Sequence, residues 1–553
     1  LASRAPSSRN IIAIKGGLPR RSAQSTTICM DTGDQSDLVI DADNEFALQR
    51  CACWLAEICQ RGDLFFLSGD LGVGKTTLAR AFIQSLDDPN TLVPSPSFTL
   101  VQPYDTLKGA LLHVDLYRIT QPDEVYELGL TDHQANLQKG TQTEPIMLVE
   151  WPEIGSHILR RPDFTVTISQ IGTSERRRLH ITAKTPARLE PVAALHAREN
   201  HLVTFLANAG WSGENATRRQ IAGDASTRRY ERLHRTNEKP ETAVLMDWHA
   251  GPDGPPVVDG QSYSKRANLA EAADAYCRIS RHLADCGVGV PGIYSANEGE
   301  GFVLLEDLGT RTLEVMAHEN ADDLPAFYLE AVETLIHLHG MDAPDFLRAY
   351  DSDVMAVETA LFLDWYLPDR GIEIAQPARQ QWMDMWRALV RLSDSAPPVC
   401  VLRDFHSVNL LWQPHKQGRH RVGVIDVQDA LAGPPAYDVV SLLQDARIDV
   451  PRPVFDRCLN HYVRRRFDTE TGAARRFREA FAILGLQRNL KIAGIFVRLA
   501  LRDNKPQYLA HLPRILDYLQ TNLAHEAAAP VRGWLETHAP DWAARMNDPQ
   551  EPA

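Results

Sequence analysis

Gly69-Asp-Leu-Gly-Val-Gly-Lys-Thr76 decides the fold of the first part of the chain. It fits the G-x-x-x-x-G-K-[ST] pattern in full, follows the apolar run Leu64-Phe-Phe-Leu-Ser68, and leads into Leu78-Ala-Arg-Ala-Phe-Ile83 with helical spacing. A strand, a glycine-rich turn and a helix in that order form a phosphate cradle. Gly69, Gly72 and Gly74 let backbone N–H groups curl round phosphates, Lys75 neutralises their charge, and Thr76 can ligate Mg²⁺. Thr77, next along, belongs to the same nucleotide-binding set. Two acids stand where strands should end: Asp115 follows Ala-Leu-Leu-His-Val114, and Glu150 follows Ile-Met-Leu-Val149. Ligands gather at the carboxyl ends of strands in open α/β sheets, so one acid is expected to hold Mg²⁺ and the other to orient water.

Outward from this motif, 553 residues exceed what one domain usually holds, at about 100–200 residues each. Hydrophobic residues make up 44% and charged residues 24%, enough apolar material for packed cores. The 58 basic against 72 acidic side chains give a net charge of −14, which is no electrostatic footprint for nucleic acid; any RNA role is expected to be indirect or local. No pair among the eight cysteines has C-x2-C spacing, so a reduced, metal-free, cytoplasmic set is expected. Uninterrupted apolar runs fall short of the roughly 18 residues that span a bilayer, and no membrane role is expected.

Leu1–Met30 contains no Asp or Glu, while Arg4, Arg9, Lys15, Arg20 and Arg21 lie among Ser, Thr and Ala. That composition mimics an organellar transit peptide and lacks the apolar core of a secretory signal. Because the chain opens on Leu and Met30 begins a more ordinary acidic sequence, a start placed too far upstream is the preferred reading. Residues 1–35 are expected to be without fixed structure.

Pro186 and Pro191 interrupt an aperiodic stretch, which predicts a linker at 185–197 between an α/β domain (36–184) and a second domain (198–530), with a tail at 531–553. Within the first, Phe164–Ser169 and Arg178–Ala183 read as a closing antiparallel pair. The second is expected to have a small β lobe (198–307) and a helical lobe (308–530).

Four further motifs give the first domain a specific likeness. Val93-Pro-Ser-Pro-Ser-Phe-Thr-Leu100, His113-Val-Asp-Leu-Tyr-Arg118, Glu127-Leu-Gly-Leu130 and Val149-Glu-Trp-Pro152 resemble, in order and spacing, the bacterial TsaE family. The resemblance implies a P-loop ATPase that supports threonylcarbamoylation of adenosine 37 in tRNA. It implies ATP on Lys75 and Thr76, Mg²⁺ near Asp115 and Glu150, and a switch-like loop at Ser97–Thr99. Its partners would be the threonylcarbamoyl transferase subunit and that subunit's companion. Val73 stands where the family usually has Ala.

In the second domain, Leu402-Arg-Asp-Phe-His-Ser-Val-Asn409 and the later Val424-Ile-Asp426 have the layout of a kinase catalytic loop. Asp404 would accept the acceptor hydroxyl's proton, while Asn409 and Asp426 would hold Mg²⁺. Gly223-Asp-Ala-Ser-Thr-Arg-Arg-Tyr230 could be the turn over the ATP phosphates, bringing Ser226, Arg228 and Arg229, and Phe302–Gly309 reads as a strand entering a hinge at Glu306 and Leu308. His337 and His339 are expected to be ordinary helix residues. With Leu335–Gly340, Ile425–Ala430 and Tyr437-Asp438, these segments resemble the aminoglycoside phosphotransferase family.

Val244-Leu-Met-Asp247, Arg403-Asp-Phe-His-Ser407 and Gln487–Phe496 are similar in particular to its AmgK group of amino-sugar kinases. That likeness implies ATP-dependent phosphorylation of N-acetylmuramate or N-acetylglucosamine at the anomeric hydroxyl, in peptidoglycan recycling. Leu402 replaces the family's usual His, and Ala243–Asp247 lacks the phosphate-binding Lys expected on that strand; Arg228 or Arg229 is the expected substitute. The expected fold is a P-loop NTPase domain followed by a two-lobed protein-kinase-like domain. An aminoglycoside or choline acceptor, and a non-catalytic module that regulates the ATPase, stay open as readings of the residues.

Overall fold

The computed structural model describes residues 27–30, 36–88, 90–130, 144–211, 216–221, 228–236, 238–249, 256–258, 260–319, 321–393, 396–468 and 472–543. They fall into two compact units, divided between Thr204 and Phe205.

The first unit is built on an eight-stranded sheet. Its strands are β1 (Thr27–Met30), β2 (Ser36–Ala42), β3 (Leu64–Ser68), β4 (Val101–Thr106), β5 (Gly109–Asp115), β6 (Ile146–Glu150), β7 (Phe164–Gln170) and β8 (Arg177–Ala183), in the order β1-β2-β8-β7-β3-β6-β5-β4. The central pairs β7–β3, β3–β6 and β6–β5 are parallel, and β7–β8 is antiparallel. Because β3 is covered on both faces, it reads as a continuous apolar run. Phe65 and Leu67 join the core with helices α1 (Glu45–Ile58) and α2 (Lys75–Leu86), while Leu64 and Phe66 join the core on the other face. The P-loop thus leaves the middle of the sheet and ends at the start of α2.

Two expectations for this region need correction. Thr27–Met30, inside the segment expected to lack structure, pairs with β2; Thr, Ile, Cys and Met suit a strand laid on an otherwise unpaired edge. The expected linker is helical, with a short 3-10 turn at Pro186–Leu189 followed by a helix at Glu190–Asn208. Both prolines sit in first turns, where a missing N–H costs nothing, and Leu189 and Val192 are buried in the core.

The second unit opens with strands β9 (Ala216–Ile221), β10 (Arg228–Arg235) and β11 (Thr242–Trp248). A small hairpin follows, β12 (Pro256–Val258) with β13 (Gln261–Ser262), and then β14 (Ile293–Asn297) and β15 (Phe302–Glu306). The sheet order β14-β15-β11-β10-β9 is antiparallel throughout. Beyond Glu306 the chain is mainly helical. Two short ladders, β16 (Val399–Val401) with β19 (Leu431–Gly433) and β17 (Leu410–Trp412) with β18 (Val422–Val424), bracket the loops that carry Asp404 and Asp426.

The helix Ala473–Leu501 runs through this second core. By length and composition it could cross a membrane, but most of it is buried inside the unit. Arg488 and Lys491 break its apolar run, which is why uninterrupted runs missed it. Gly494 permits a close crossing, since a Cβ there would collide with the backbone of Leu361. The expected tail also needs correction: Ala529–His538 is a helix whose Val531, Trp534 and Leu535 are buried, and Trp542 is buried beyond it. An apolar stripe in the final stretch was enough to dock it.

Candidate functional sites

In the first unit, Lys75 is buried and bent back onto the loop, its Nζ donating to the carbonyls of Gly69 (2.6 Å) and Asp70 (2.9 Å). Its ammonium also lies 3.6 Å from the centre of the Trp151 ring. Burial lowers its pKa, with Glu150, Glu153 and Asp115 opposing. Thr76 Oγ1 donates to Glu150 Oε2 at 3.0 Å, and Thr77 follows in the first turn of α2. Asp115 and Glu150 are register partners at the ends of β5 and β6. Asp115 accepts from Ser97 (2.7 Å) and Ser95 (3.2 Å). Glu150 is also held by buried His113, whose Nε2 is 2.9 Å from Oε1.

The structure therefore brings Lys75, Thr76, Asp115 and Glu150 together at one end of the sheet, and adds Trp151 and His113 to them. Trp151 has φ +56°, an uncommon backbone state for a bulky residue and a mark of a constrained site. The Val-Glu-Trp-Pro string held the signal for Trp151. For His113, the signal was strand alternation, which puts it on the same face as Asp115.

These residues fit a nucleotide and its metal. Gly69 (φ +135°), Gly72 (φ +77°) and Gly74 (φ +113°) keep the turn in conformations that favour glycine. A Cβ at Gly69 would overlap the Ile168 carbonyl, so Gly69→Ala must displace the loop. We predict that it weakens ATP binding roughly tenfold or more, equivalent to about 1.4 kcal/mol, measured by titration with a fluorescent ATP analogue. Unchanged affinity would show that the cradle tolerates the shift.

In the second unit, Asp404 is about one-third exposed at 37% side-chain accessibility, while the loop around it is buried. Burial pushes its pKa up, but surrounding positive charge wins and holds the carboxyl below its ordinary value. His406 is itself pushed down by burial and by Arg447, so it is neutral near pH 7. Lys491, Arg403 and Arg488 then carry the lasting stabilisation of the Asp404 carboxylate. Asn409 Nδ2 donates to the Asp404 carbonyl at 3.0 Å.

Asp426 (φ +60°) behaves oppositely: burial raises its pKa, Asp404 and Asp429 add to that, and Arg228 opposes. Arg228 Nη1 donates to Asp426 Oδ1 at 2.5 Å, across 198 residues of sequence. An acid whose pKa neighbouring carboxylates raise suits a cation. Among the described residues no cluster of three or more His, Cys, Asp or Glu could hold a metal alone. An Asn–Asp pair that relies on phosphate oxygens for its remaining ligands is consistent with this and fits Mg²⁺.

The other expected residues divide. Arg229 stands opposite Asp247 in the β10–β11 pairing, one residue from Arg228 and so on the other sheet face. Glu306 spends its side chain on Lys416 (2.9 Å) and the Gly292 N–H (3.1 Å). The carbonyl of Leu308 accepts from Gln413 at 2.6 Å. Ser226 lies outside the described residues. His337 and His339 have structural partners: the Cys286 carbonyl for the former, Tyr462 and Asp438 for the latter.

That Asp438 shows what braces the loop where Leu402 replaces a His. Its carboxylate accepts the N–H groups of Leu402 (2.8 Å) and Arg403 (2.9 Å). Behind the loop lies a buried cluster whose central acid, Glu358, stands in none of the sequence motifs. Glu358 pairs with Arg403 and with Lys491 (3.1 Å), and accepts from Tyr350 (2.6 Å) and Gln487 (2.9 Å).

Fold and sites together define an α/β ATPase domain followed by a kinase-like phosphotransferase domain. Residues 42–179 match the family described as threonylcarbamoyl adenosine biosynthesis protein TsaE, and residues 217–479 match the phosphotransferase enzyme family. An N-acetylmuramate/N-acetylglucosamine kinase of Caulobacter vibrioides is 31% identical over 62% of this chain and 97% of its own length. A kinase of the same description from Pseudomonas aeruginosa is 36% identical over 58% of this chain and 88% of its own. A tRNA threonylcarbamoyladenosine biosynthesis protein TsaE of Rickettsia felis is 35% identical over 24% of this chain and 73% of its own. The chain belongs to the TsaE family through its first unit and to the phosphotransferase enzyme family through its second, a fusion of an ATPase with a kinase-type transferase.

Proposed function

We propose that the chain is a bifunctional cytoplasmic enzyme. Its first unit hydrolyses ATP in support of N6-threonylcarbamoylation of adenosine 37 in tRNA. Its second transfers phosphate from ATP to the anomeric hydroxyl of N-acetylmuramate or N-acetylglucosamine during peptidoglycan recycling. The observation that carries the kinase reading is Asp404, an accessible carboxylate kept ionised beside Asp426 and Asn409 and so ready to take a hydroxyl proton. Asn409 and Asp426 would hold Mg²⁺, which neutralises phosphate charge when bound. Asp404 orients the acceptor oxygen in line with the phosphate and receives its proton.

Arg228 replaces the missing lysine in this reading, its guanidinium exchanging Asp426 for phosphate oxygens. Arg228→Ala is expected to raise the KM for ATP roughly tenfold or more, as loss of a charge-assisted hydrogen bond implies, in steady-state kinase assays. If Arg228→Ala and Arg229→Ala both leave KM and kcat unchanged, neither arginine binds phosphate.

For the first unit, Lys75 and Thr76 would take the nucleotide, with Asp115 and Glu150 serving Mg²⁺ and the attacking water. Leu71, Phe98, Tyr117 and Tyr126 are exposed on and around the nucleotide loops, and such apolar exposure supports docking to the transferase subunit and its companion. The test has two arms. Phosphorus NMR of the sugar product should show a phosphate coupled to the anomeric proton. Reconstitution with the two transferase subunits should give tRNA modification that depends on Lys75. Phosphate on another hydroxyl, or modification indifferent to Lys75, would remove the corresponding half of the proposal.

A further inference from the structure

Arg488 lies in the helix Ala473–Leu501 and is only 4% exposed. Its Nη1 is buried with no hydrogen-bond partner. The donors of its polar neighbours on the helix are engaged. Gln487 and Lys491 hold Glu358, while Asn489 donates to Gln444 and to the Gly485 carbonyl. The charge of Arg488 acts on the Asp404 carboxylate, but the buried Nη1 donor itself has no acceptor in the chain, and an unmet buried donor is costly.

The same helix reaches the catalytic loop through Glu358, which Gln487 and Lys491 hold and which pairs with Arg403 next to Asp404, and the Arg488 charge acts on Asp404 and His406. On that loop, His406 Nδ1 and Ser407 Oγ are likewise buried without partners, as groups that await hydroxyls would be. A planar guanidinium with parallel donors matches a carboxylate in a bidentate pair. A polycationic acceptor would be repelled there.

Building on the sugar-kinase reading, we propose that Arg488 sets acceptor specificity by binding the lactyl carboxylate of N-acetylmuramate beside Asp404. N-acetylglucosamine, which lacks that carboxylate, binds the same loop without this contact. Arg488 thereby distinguishes two acceptors that share the reacting hydroxyl.

The test measures kcat and KM of the full chain for N-acetylmuramate, its neutral lactyl amide and N-acetylglucosamine, in the wild type, Arg488→Gln and Arg488→Lys. In the wild type the amide should have a kcat/KM about tenfold or more below the acid, the loss expected of a charge-assisted hydrogen bond. Because Arg488 also stabilises the Asp404 carboxylate, Arg488→Gln should lower kcat on both sugars alike, but raise KM about tenfold for N-acetylmuramate and by no more than about twofold for N-acetylglucosamine, with partial rescue by Lys. Equal use of acid and amide by the wild type overturns the proposal, as does an equal rise in KM for both sugars in Arg488→Gln. Should that variant fail to fold, the wild-type comparison of acid with amide decides alone. If the wild type phosphorylates choline or kanamycin but neither sugar, the sugar-kinase reading falls and this inference falls with it.

Discussion

Replacing Glu358 by Ala is expected to destabilise the second unit by roughly 3–5 kcal/mol, the usual effect of removing one partner from a buried ion pair. Glu358 is fully buried, and its carboxylate is shared by Arg403 and Lys491. Burial alone would raise its pKa, but Lys491, Arg403 and the hydrogen bonds from Tyr350 and Gln487 outweigh that and hold it below the ordinary value. Without it, two cations stay behind in the core with no counter-ion. The sign of the pH dependence follows. A depressed carboxyl contributes stability that is fully present above the unfolded value of about 4.3 and is lost as pH falls through the lower folded value. Denaturant unfolding of the full chain should show the transition of the second unit shifted in Glu358→Ala and that of the first unchanged. A change below about 1 kcal/mol, the scale of a surface pair, would mean the cluster is not a buried keystone.

The largest expected loss of activity comes from Asp404→Asn. The substitution keeps size and shape but removes the proton acceptor, and general-base losses run to roughly 10²–10⁴-fold in rate. Because Asn409 bonds the Asp404 main-chain carbonyl and Asp438 holds the N–H groups of the two preceding residues, the loop should keep its geometry. The KM for ATP should therefore move little while kcat collapses, and hydrolysis at Lys75 should continue. A kcat within tenfold of wild type, in a stopped assay of sugar phosphate, would place the proton acceptor elsewhere.

What the sequence made legible was local. The P-loop could be read because its turn, strand and helix are contiguous, and Asp115 and Glu150 because strand ends are visible as apolar runs stopped by an acid. Asp404, Asn409 and Asp426 were picked out by local spacing, an Asp five residues before an Asn and a second Asp after the next apolar strand. Contacts that close over long separations left no such trace. Arg228 reaches Asp426 across 198 residues, and Glu358 meets Lys491 across 133. Neither pair has a spacing that a chain read in one dimension can reveal. Pro186 and Pro191 misled for a different reason: proline marks a break inside a helix but a beginning in its first turn, and composition alone does not say which. Leu402 looked like a missing brace until Asp438, 36 residues on, was seen to supply it from the next helix.

The central claim is that two independent ATP sites occupy one chain, and that the second of them makes a sugar phosphate. It is tested most directly by transfer from γ-labelled ATP to N-acetylmuramate and N-acetylglucosamine, using the purified full chain with Lys75→Ala and Asp404→Ala. The account predicts labelled sugar from the wild type and from Lys75→Ala, and none from Asp404→Ala. Label that disappears with Lys75→Ala, persists in Asp404→Ala, or never reaches a sugar would contradict it.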